Sequence, residues 1–365
     1  MKDLLVVGGG PAGLSAAIEA ARLGLEVEVV EEHAEVGIPE HCTGLVSLMG
    51  MHEILGTGAP IIREVKGFRV YSPSGKAYTV RGAEAKAAVI DRPAFERELL
   101  RRAETNGALV TLGARFDGDG GFKTLINAEG TASRISRRFG FEIPKAIPAA
   151  QVDLETRDFE EDLVEIYLGS YAPGFFAWTV PRREGVRVGL ACQEGIPLKK
   201  VETMLEKFEP WRRFAGARRS RPFFGKVVTG GPLKRTQRGR VIAVGDAGGF
   251  VKPTTGGGVV LGCFTARLAA RVAYRFLSEG ERIDAFGTGW RRLYGREFKL
   301  MKLARKVYDR MECEEVDRVL EALYTSGALT DAIRYDMDLQ GKALWRLLES
   351  RAIFSLVPSV LRAIF

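Results

Sequence analysis

The chain has 365 residues, of which 46% are hydrophobic, and a formal net charge of +8 at pH 7. This length and apolar content predict a large core and two domains, and no apolar run approaches the ~18 residues of a membrane span. Lys2 and Asp3 lead straight into the first predicted strand, which argues against a signal peptide. Wide cysteine spacing argues against a zinc or disulfide framework and predicts a cytoplasmic protein; the cysteines are Cys42, Cys192, Cys263 and Cys313.

The positive charge has more than one explanation. We expect no nucleic-acid partner, because no recognition motif accompanies the charge. A peripheral contact with an anionic membrane surface and an arginine-rich solvated face both remain open. The segment 345–365 mixes arginines with apolar residues at three- and four-residue steps. That pattern suits docking on the cytoplasmic face of a membrane, packing on the second domain, or a dimer contact.

The first predicted elements are a strand over Leu4–Val7, a helix over Leu14–Leu23 and a second strand over Val27–Val30. The turn after the first strand has G-x-G-x-x-G spacing and comprises Gly8, Gly10, Pro11, Ala12 and Gly13. Its bare N–H groups and the helix dipole suit a pyrophosphate. Glu31, 18 residues beyond Gly13, stands where an acid holds a ribose. It would repel a ribose 2′-phosphate, which favours FAD or NAD over NADP.

The following stretch mixes a long connection with short elements. Residues 33–47 are too long and too unusual in composition for a simple linker, so we expect them to carry function. Two β segments are predicted over Glu64–Tyr71 and Lys76–Arg81, followed by a helix over Asp91–Gly107 with Asp91 as N-cap. Strands over 108–112 and 125–128 are expected to extend the dinucleotide-binding sheet.

Beyond Pro144 the pattern changes to short strands separated by turns, which predicts an antiparallel sheet. These strands are Val152–Leu154, Leu163–Leu168, Phe175–Val180, Val186–Cys192 and Phe223–Val228, with a helix over Pro197–Trp211. An α/β pattern then returns, with a strand over Arg240–Val244, a long helix over Gly256–Leu277 and mostly helical sequence from Glu281.

The predicted fold class is therefore α/β. It has a Rossmann-like dinucleotide-binding domain, an inserted antiparallel-sheet substrate domain and a C-terminal helical region. We assign the dinucleotide-binding domain to residues 1–57, 84–143 and 230–278, and the substrate domain to 58–83 and 144–229. The C-terminal helical region is assigned to residues 279–365.

A second ligand motif lies at Val241–Ala270. Its buried strand delivers Asp246 to the carboxyl end of the sheet, where an acid can accept hydrogen bonds from sugar or ribityl hydroxyls. Gly256, Gly257 and Gly258 then open a helix whose N–H groups suit negative charge on a bound ring. A reduced flavin carries such a charge, whereas a simple NAD dehydrogenase needs no second site of this kind.

Taken in order, these motifs resemble the geranylgeranyl reductase family of flavoproteins, which share their FAD domain with aromatic hydroxylases of the hydroxybenzoate type. The resemblance covers about residues 1–277, although Glu129 stands where the family usually has Asp and Phe176 where it often has Tyr. It implies that FAD is the cofactor. The FAD-binding positions that it adds are Glu32, Cys42, Thr43, Gly44, Arg92, Ala114, Gly130, Gly245, Pro253 and Val259.

The family's aromatic signature corresponds to PGFFAWTVP, Pro173 to Pro181, and implies substrate contacts at Phe175, Phe176, Trp178 and Pro181. If this stretch is a strand, Phe176 and Trp178 point to one face. A substrate pocket and ordinary domain core both remain open for these rings. Cys42 is either a catalytic proton donor or a packing residue beside the flavin.

The implied reaction is hydrogenation of C=C bonds in an isoprenoid lipid, most simply geranylgeranyl chains on an archaeal-type ether phospholipid or its precursor. NAD(P)H or another low-potential electron donor would reduce the FAD. The main alternative is an FAD-dependent monooxygenase acting on an aromatic or polyprenyl phenol. No metal site is expected, because the three histidines, His33, His41 and His52, lack ligand spacing.

Overall fold

The computed structural model describes residues 1–118 and 121–349. The strands, in chain order, are β1 Lys2–Val7, β2 Val27–Val30, β3 Leu45–Ser47, β4 Ile61–Val65, β5 Gly67–Tyr71, β6 Ala77–Arg81, β7 Ala87–Ile90, β8 Leu109–Thr111, β9 Phe122–Asn127, β10 Ala146–Glu155, β11 Leu163–Tyr167, β12 Ala177–Pro181, β13 Gly185–Ala191, β14 Arg218–Arg219, β15 Phe223–Val228, β16 Gln237–Arg238 and β17 Val241–Ala243.

The α-helices are α1 Pro11–Arg22, α2 Leu48–Leu55, α3 Arg92–Thr105, α4 Arg134–Arg138, α5 Pro197–Lys207, α6 Glu209–Arg212, α7 Val259–Glu279, α8 Ala285–Tyr308, α9 Cys313–Thr325, α10 Ala328–Ala332 and α11 Gly341–Glu349. Within the described ranges, none of these helices is long and apolar enough to cross a membrane. The predicted C-terminal segment lies outside the described residues from position 350 onward.

The chain forms two compact units, each assembled from separate stretches. The first unit comprises Met1–Glu40, Asp91–Ala146 and Val228–Phe298, and the second comprises His41–Ile90, Ile147–Val227 and the described residues from Lys299. These bounds differ from the predicted domains at residues 41–57 and 84–90, which cluster with the second unit because β3 and β7 pair in its three-stranded sheet. They also differ over the predicted C-terminal helical region: residues 279–298 cluster with the first unit, where Phe286 and Trp290 pack on Phe250, and the described residues from 299 cluster with the second.

The first unit is built on a six-stranded sheet with the order β16-β17-β9-β1-β2-β8. Five strands run parallel, and β16 pairs antiparallel with β17. Apolar residues fill its strands; Leu4, Val6, Val29 and Ile126 are fully buried. Helix α1 packs against α7 and α3. The Rossmann-like prediction is confirmed, and its topology gathers the strand ends at one edge of the sheet.

The second unit contains an eight-stranded sheet and a smaller sheet with the order β3-β7-β4. The larger sheet has the order β14-β10-β13-β12-β11-β5-β6, with β15 also paired to β10. Along that order the pairs are antiparallel except where β11 meets β5. One face carries Val188 and Leu190, which pack under Trp211 and neighbouring residues of α5 and α6. The predicted antiparallel sheet is therefore confirmed.

Among the predicted element boundaries that differ from the structure, those of β12 and α7 bear on the candidate site, and each has a local reason. β12 begins at Ala177, so Phe175 and Phe176 precede the strand; Gly174 has φ +72°, and the Phe175 N–H closes a turn on the Ala172 carbonyl. Helix α7 begins at Val259, not Gly256, because Gly256 has φ +73°, outside the helical region.

Candidate active site

The glycine turn after β1 brings α1 close to the sheet. A Cβ atom on Gly13 would lie only 1.9 Å from the Gly8 carbonyl oxygen, so this approach requires glycine. Helix α1 starts at Pro11 with Gly10 as its N-cap, and no side chain caps it. Because the first-turn N–H groups of a helix have no intrahelical acceptor, this end of α1 can bind an anion such as a phosphate.

Glu31, directly after β2, lies beside this turn. Its carboxylate accepts hydrogen bonds from the Gly9 N–H at 2.6 Å and the His33 N–H at 2.9 Å, while His33 Nδ1 lies 2.6 Å from Oε1. The Ala114 N–H donates to the Glu31 carbonyl oxygen at 2.9 Å, which brings Ala114 to the same edge. Glu32, by contrast, is exposed and pairs with Arg115.

The second predicted motif adjoins the first within the same unit. A Cβ atom on Gly245 would lie 2.9 Å from the Ala12 Cβ, and the Cys263 thiol donates to the Pro11 carbonyl oxygen at 3.5 Å. The Gly-Asp turn therefore rests on the first turn of α1. This contact joins sequence segments more than two hundred residues apart.

Asp246 is the acid of this second motif. Burial raises the pKa of its partly buried carboxyl group, and Arg92 opposes that rise. Among the described residues, the carboxylate has no hydrogen-bond partner. A Cβ atom on Gly258, the N-cap of α7, would lie 3.1 Å from Asp246 Oδ1, so the acid lies at the start of that helix. A carboxylate without a protein partner at this position can accept a hydrogen bond from a ligand hydroxyl.

The remaining predicted positions of the first unit lie in loops or in the first turn of a helix. Lys252 and Gly257 close a loop through a 3.0 Å backbone bond, and this loop holds Pro253 and Gly256 immediately before Val259. Gly130 has φ +65°, and a Cβ atom added there would meet no protein atom within 4 Å. Arg92, the first residue of α3, forms an ion pair with Glu96.

Glu129 has a structural task. Its carboxylate accepts from the Ser136 N–H at 2.7 Å and the Ile135 N–H at 2.8 Å, and thereby caps α4. The Glu129 side chain is longer than that of the Asp usually found at this position in the geranylgeranyl reductase family, and it reaches the N-terminus of α4.

Taken together, the first unit fits FAD. It offers two helix N-termini without side-chain caps, an acid beside the glycine turn, and an orphan acidic acceptor next to α7. The glycine turn suits the pyrophosphate, Glu31 the ribose, and Asp246 a hydroxyl-bearing chain.

In the second unit, the half-buried Cys42 is held through the backbone around it. The Cys42 carbonyl oxygen accepts from Arg187 Nη1 at 2.7 Å, and the Gly44 N–H donates to the Cys42 sulfur at 3.3 Å. The Gly44 carbonyl oxygen accepts from the Ile90 N–H at 3.0 Å. Thr43 lies between these anchored residues.

The aromatic segment divides into core and accessible parts. The rings of Phe175 and Phe176 stack with centroids 4.2 Å apart, and Phe176 meets Trp178 edge-on at 6.1 Å. Phe175 is 1% exposed, whereas Phe176 is only partly buried. Because side chains alternate along β12, Pro181 points to the opposite face of the sheet from Trp178.

Several residues of this region were missed from sequence. Arg305 donates to the Gly174 carbonyl oxygen, and Tyr308 donates to that of Phe175. Both stand in the basic C-terminal helices, where the sequence offers no distinguishing signal. Arg187 did have a sequence signal, because it is a charged residue in the otherwise apolar run of β13. In the structure it forms an ion pair with Asp153.

Comparison with known proteins supports the fold. Residues 3–56 match the family described as FAD dependent oxidoreductase. A structure of a geranylgeranyl bacteriochlorophyll reductase-like protein from Thermoplasma acidophilum aligns over 99% of both chains, with a TM-score of 0.85 at 21% identity. The structure of p-nitrophenol 4-monooxygenase from Pseudomonas putida aligns over 94% of this chain and 98% of its own, with a TM-score of 0.72 at 16% identity.

The fold and its glycine motifs define an FAD-dependent oxidoreductase. Digeranylgeranylglycerophospholipid reductase 2 of Methanopyrus kandleri is 31% identical over 360 residues, covering 88% of this chain and 90% of that protein. The protein of the same name from Methanothermobacter thermautotrophicus is 29% identical, covering 88% and 91%. The chain belongs to this digeranylgeranylglycerophospholipid reductase family.

Proposed function

We propose that this protein hydrogenates C=C bonds of geranylgeranyl chains, on an archaeal-type ether phospholipid or its precursor. The observation that carries the proposal is the 31% identity to a digeranylgeranylglycerophospholipid reductase across 88% of the chain. NAD(P)H or another low-potential donor is the proposed source of electrons.

The residues of the first unit would hold the cofactor. The N-terminus of α1 would bind the pyrophosphate and Glu31 the ribose, while Asp246 would accept a hydroxyl hydrogen bond. The N-terminus of α7 would stabilise negative charge on the ring. When bound and reduced, FAD supplies a hydride to one carbon of the alkene.

The residues of the second unit would handle substrate and proton. Phe176 and Trp178 offer apolar ring surface to an isoprenoid chain. Cys42 would give a proton from Sγ to the carbon next to the one that receives the hydride, so that the alkene gains two hydrogens. The thiolate would then recover its proton from water. The net charge of +8 supports a peripheral contact with an anionic membrane, where such a lipid resides.

The test is an anaerobic reaction with FAD-loaded, dithionite-reduced protein and a digeranylgeranyl ether phospholipid. We expect products heavier by two hydrogens per reduced bond in mass spectra, together with reoxidation of the flavin. The fully saturated lipid is the matched control and should leave the flavin reduced. Hydroxylated product formed only in air would instead support a monooxygenase, and absence of any product would overturn the proposal.

A further inference from the structure

We propose that Arg187, supported by Asp153 and Gln151, is a positioning residue that sets the place of the Cys42 thiol. Its effect on turnover rests on the proposed function, in which Cys42 is the proton donor. All four residues lie in the second unit, so the argument depends on that unit alone.

The guanidinium of Arg187 is fixed in one geometry. Arg187 is 1% exposed and lies on β13 directly opposite Asp153 of β10. Its Nε and Nη2 atoms donate to the two carboxylate oxygens of Asp153 at 2.6 and 2.8 Å, and the Phe223 ring lies 4.7 Å from its central carbon. The planar guanidinium is thus held by two hydrogen bonds to Asp153 and by its contact with the Phe223 ring. A lysine ammonium cannot reproduce this rigid arrangement.

A third hydrogen bond of the Arg187 guanidinium goes to the loop that contains Cys42. Arg187 Nη1 donates to the Cys42 carbonyl oxygen at 2.7 Å. Burying an ion pair is often no more stabilising than apolar packing of the same volume, so sheet stability alone does not account for an arginine here. Anchoring an irregular loop to a rigid sheet is a task that apolar residues cannot perform.

A second bond holds the preceding residue of the loop. Gln151 Nε2 donates to the His41 carbonyl oxygen at 3.2 Å, and Gln151 is 4% exposed. Gln151 and Trp178 flank Gly189 on one face of the sheet: a Cβ atom on Gly189 would lie 2.6 Å from the Gln151 Cβ and 2.8 Å from Trp178 Cζ2. One rigid row of strands thus supports both the Cys42 loop and Trp178 of the aromatic segment.

The first experiment measures the loop directly in the FAD-loaded protein. Iodoacetamide labelling is followed by peptide mass spectrometry, with the exposed Cys313 as internal reference. Releasing the loop by Arg187→Met should raise the Cys42 labelling rate at least about fivefold relative to Cys313. Arg213→Met is the matched control, because Arg213 also pairs with an acid and lies over a phenyl ring, at 4.6 Å from Phe214.

Gln151→Met provides a second variant that leaves no buried charge unpaired. It should raise Cys42 labelling in the same direction as Arg187→Met, with folding checked by thermal melting. An unchanged Cys42 rate in a folded Arg187 or Gln151 variant would overturn the proposal. An equal rise in Arg213→Met would overturn it too, since the effect would then be general loosening of the sheet.

The second experiment is a double-mutant cycle for alkene reduction. In wild-type background, Arg187→Met should lower kcat about tenfold or more and leave flavin reduction by dithionite unchanged. In a Cys42→Ser background, the same change should lower kcat less than about twofold, because the residue acts through Cys42. Additive losses would contradict a positioning role. If the wild-type protein reduces no alkene, the proposed function fails, while the labelling experiment still decides whether Arg187 holds the loop.

Discussion

The hydroxyl group of Tyr308 donates a 2.7 Å hydrogen bond to the carbonyl oxygen of Phe175, 133 positions earlier in the chain. Arg305, one helical turn before Tyr308, donates to the neighbouring Gly174 carbonyl and lies 5.3 Å from the Phe175 ring centroid. Helix α8 therefore fixes the start of the aromatic segment, which has no regular secondary structure of its own until Ala177.

The burial of the Tyr308 hydroxyl gives alkaline pH a defined effect on the free energy of unfolding. Burial raises the pKa of Tyr308 from 10.0 to about 12. A raised folded-state pKa means that the stabilisation is complete below pH 10 and is lost as the pH rises towards 12. The loss amounts to up to about 3 kcal/mol for a shift of this size.

Tyr308→Phe should therefore flatten the fall in unfolding free energy over that interval, measured by urea denaturation. At neutral pH the variant should lose roughly 1 kcal/mol with the hydrogen bond. Tyr324→Phe is the control, because Tyr324 is exposed. If the unfolding free energy of Tyr308→Phe fell with pH between 10 and 12 as steeply as that of the wild type, Tyr308 would not be the group that titrates there.

The two glycines of the first turn should respond differently to alanine. At Gly13 the added Cβ would lie 1.9 Å from a backbone oxygen, so Gly13→Ala should cost about 1–3 kcal/mol of stability and abolish FAD binding. At Gly10 a Cβ would meet no protein atom within 4 Å. Gly10→Ala should keep the apoprotein melting temperature and still lose FAD, since the methyl group would occupy the proposed pyrophosphate space. Retention of FAD by Gly10→Ala, assayed by fluorescence titration, would refute that placement.

Asp246→Asn should separate cofactor binding from stability. Because burial raises the Asp246 pKa, its contribution to stability is present at acid pH and lost as the pH rises through the folded-state pKa. At pH 7 the apo form of Asp246→Asn should melt higher than wild type, and the difference should vanish at acid pH. FAD affinity should fall roughly tenfold or more, because a charged acceptor is lost.

The control for this substitution is Asp284→Asn, an exposed acid paired with Arg282. It should leave FAD affinity unchanged in the same titration. An Asp246→Asn protein that binds FAD as tightly as the wild type would remove Asp246 from the proposed site.

The stacked phenylalanines should divide into a structural and a binding role. Phe175 is 1% exposed, so Phe175→Ala should cost about 3–5 kcal/mol in denaturant unfolding. Phe176 retains exposed surface, so Phe176→Ala should cost less stability and mainly raise KM for the isoprenoid lipid. A Phe176→Ala enzyme with unchanged KM would place that ring outside the substrate contacts.

Local sequence patterns predicted much of the first unit. The strand Val27–Val30 and the Asp91 N-cap occur as predicted, because periodicity and capping are properties of a few consecutive residues. The adjacency of Gly245 and Ala12 could be expected only through a family resemblance, since it depends on sheet order. The supports of the Cys42 loop were not predicted, because the pairing of β10 with β13 places Asp153 opposite Arg187 and no local pattern encodes that pairing.

Each unit is assembled from three separate segments of the sequence, and this affects when it can fold during synthesis. Strand β1 needs β9 beside it, and α1 packs on α7, which ends at Glu279. At synthesis rates of about 5–20 residues per second, α7 is synthesised on the order of tens of seconds after the glycine turn. We therefore expect FAD to be captured after most of the chain has left the ribosome, so premature termination before Glu279 would yield no flavin-binding fragment.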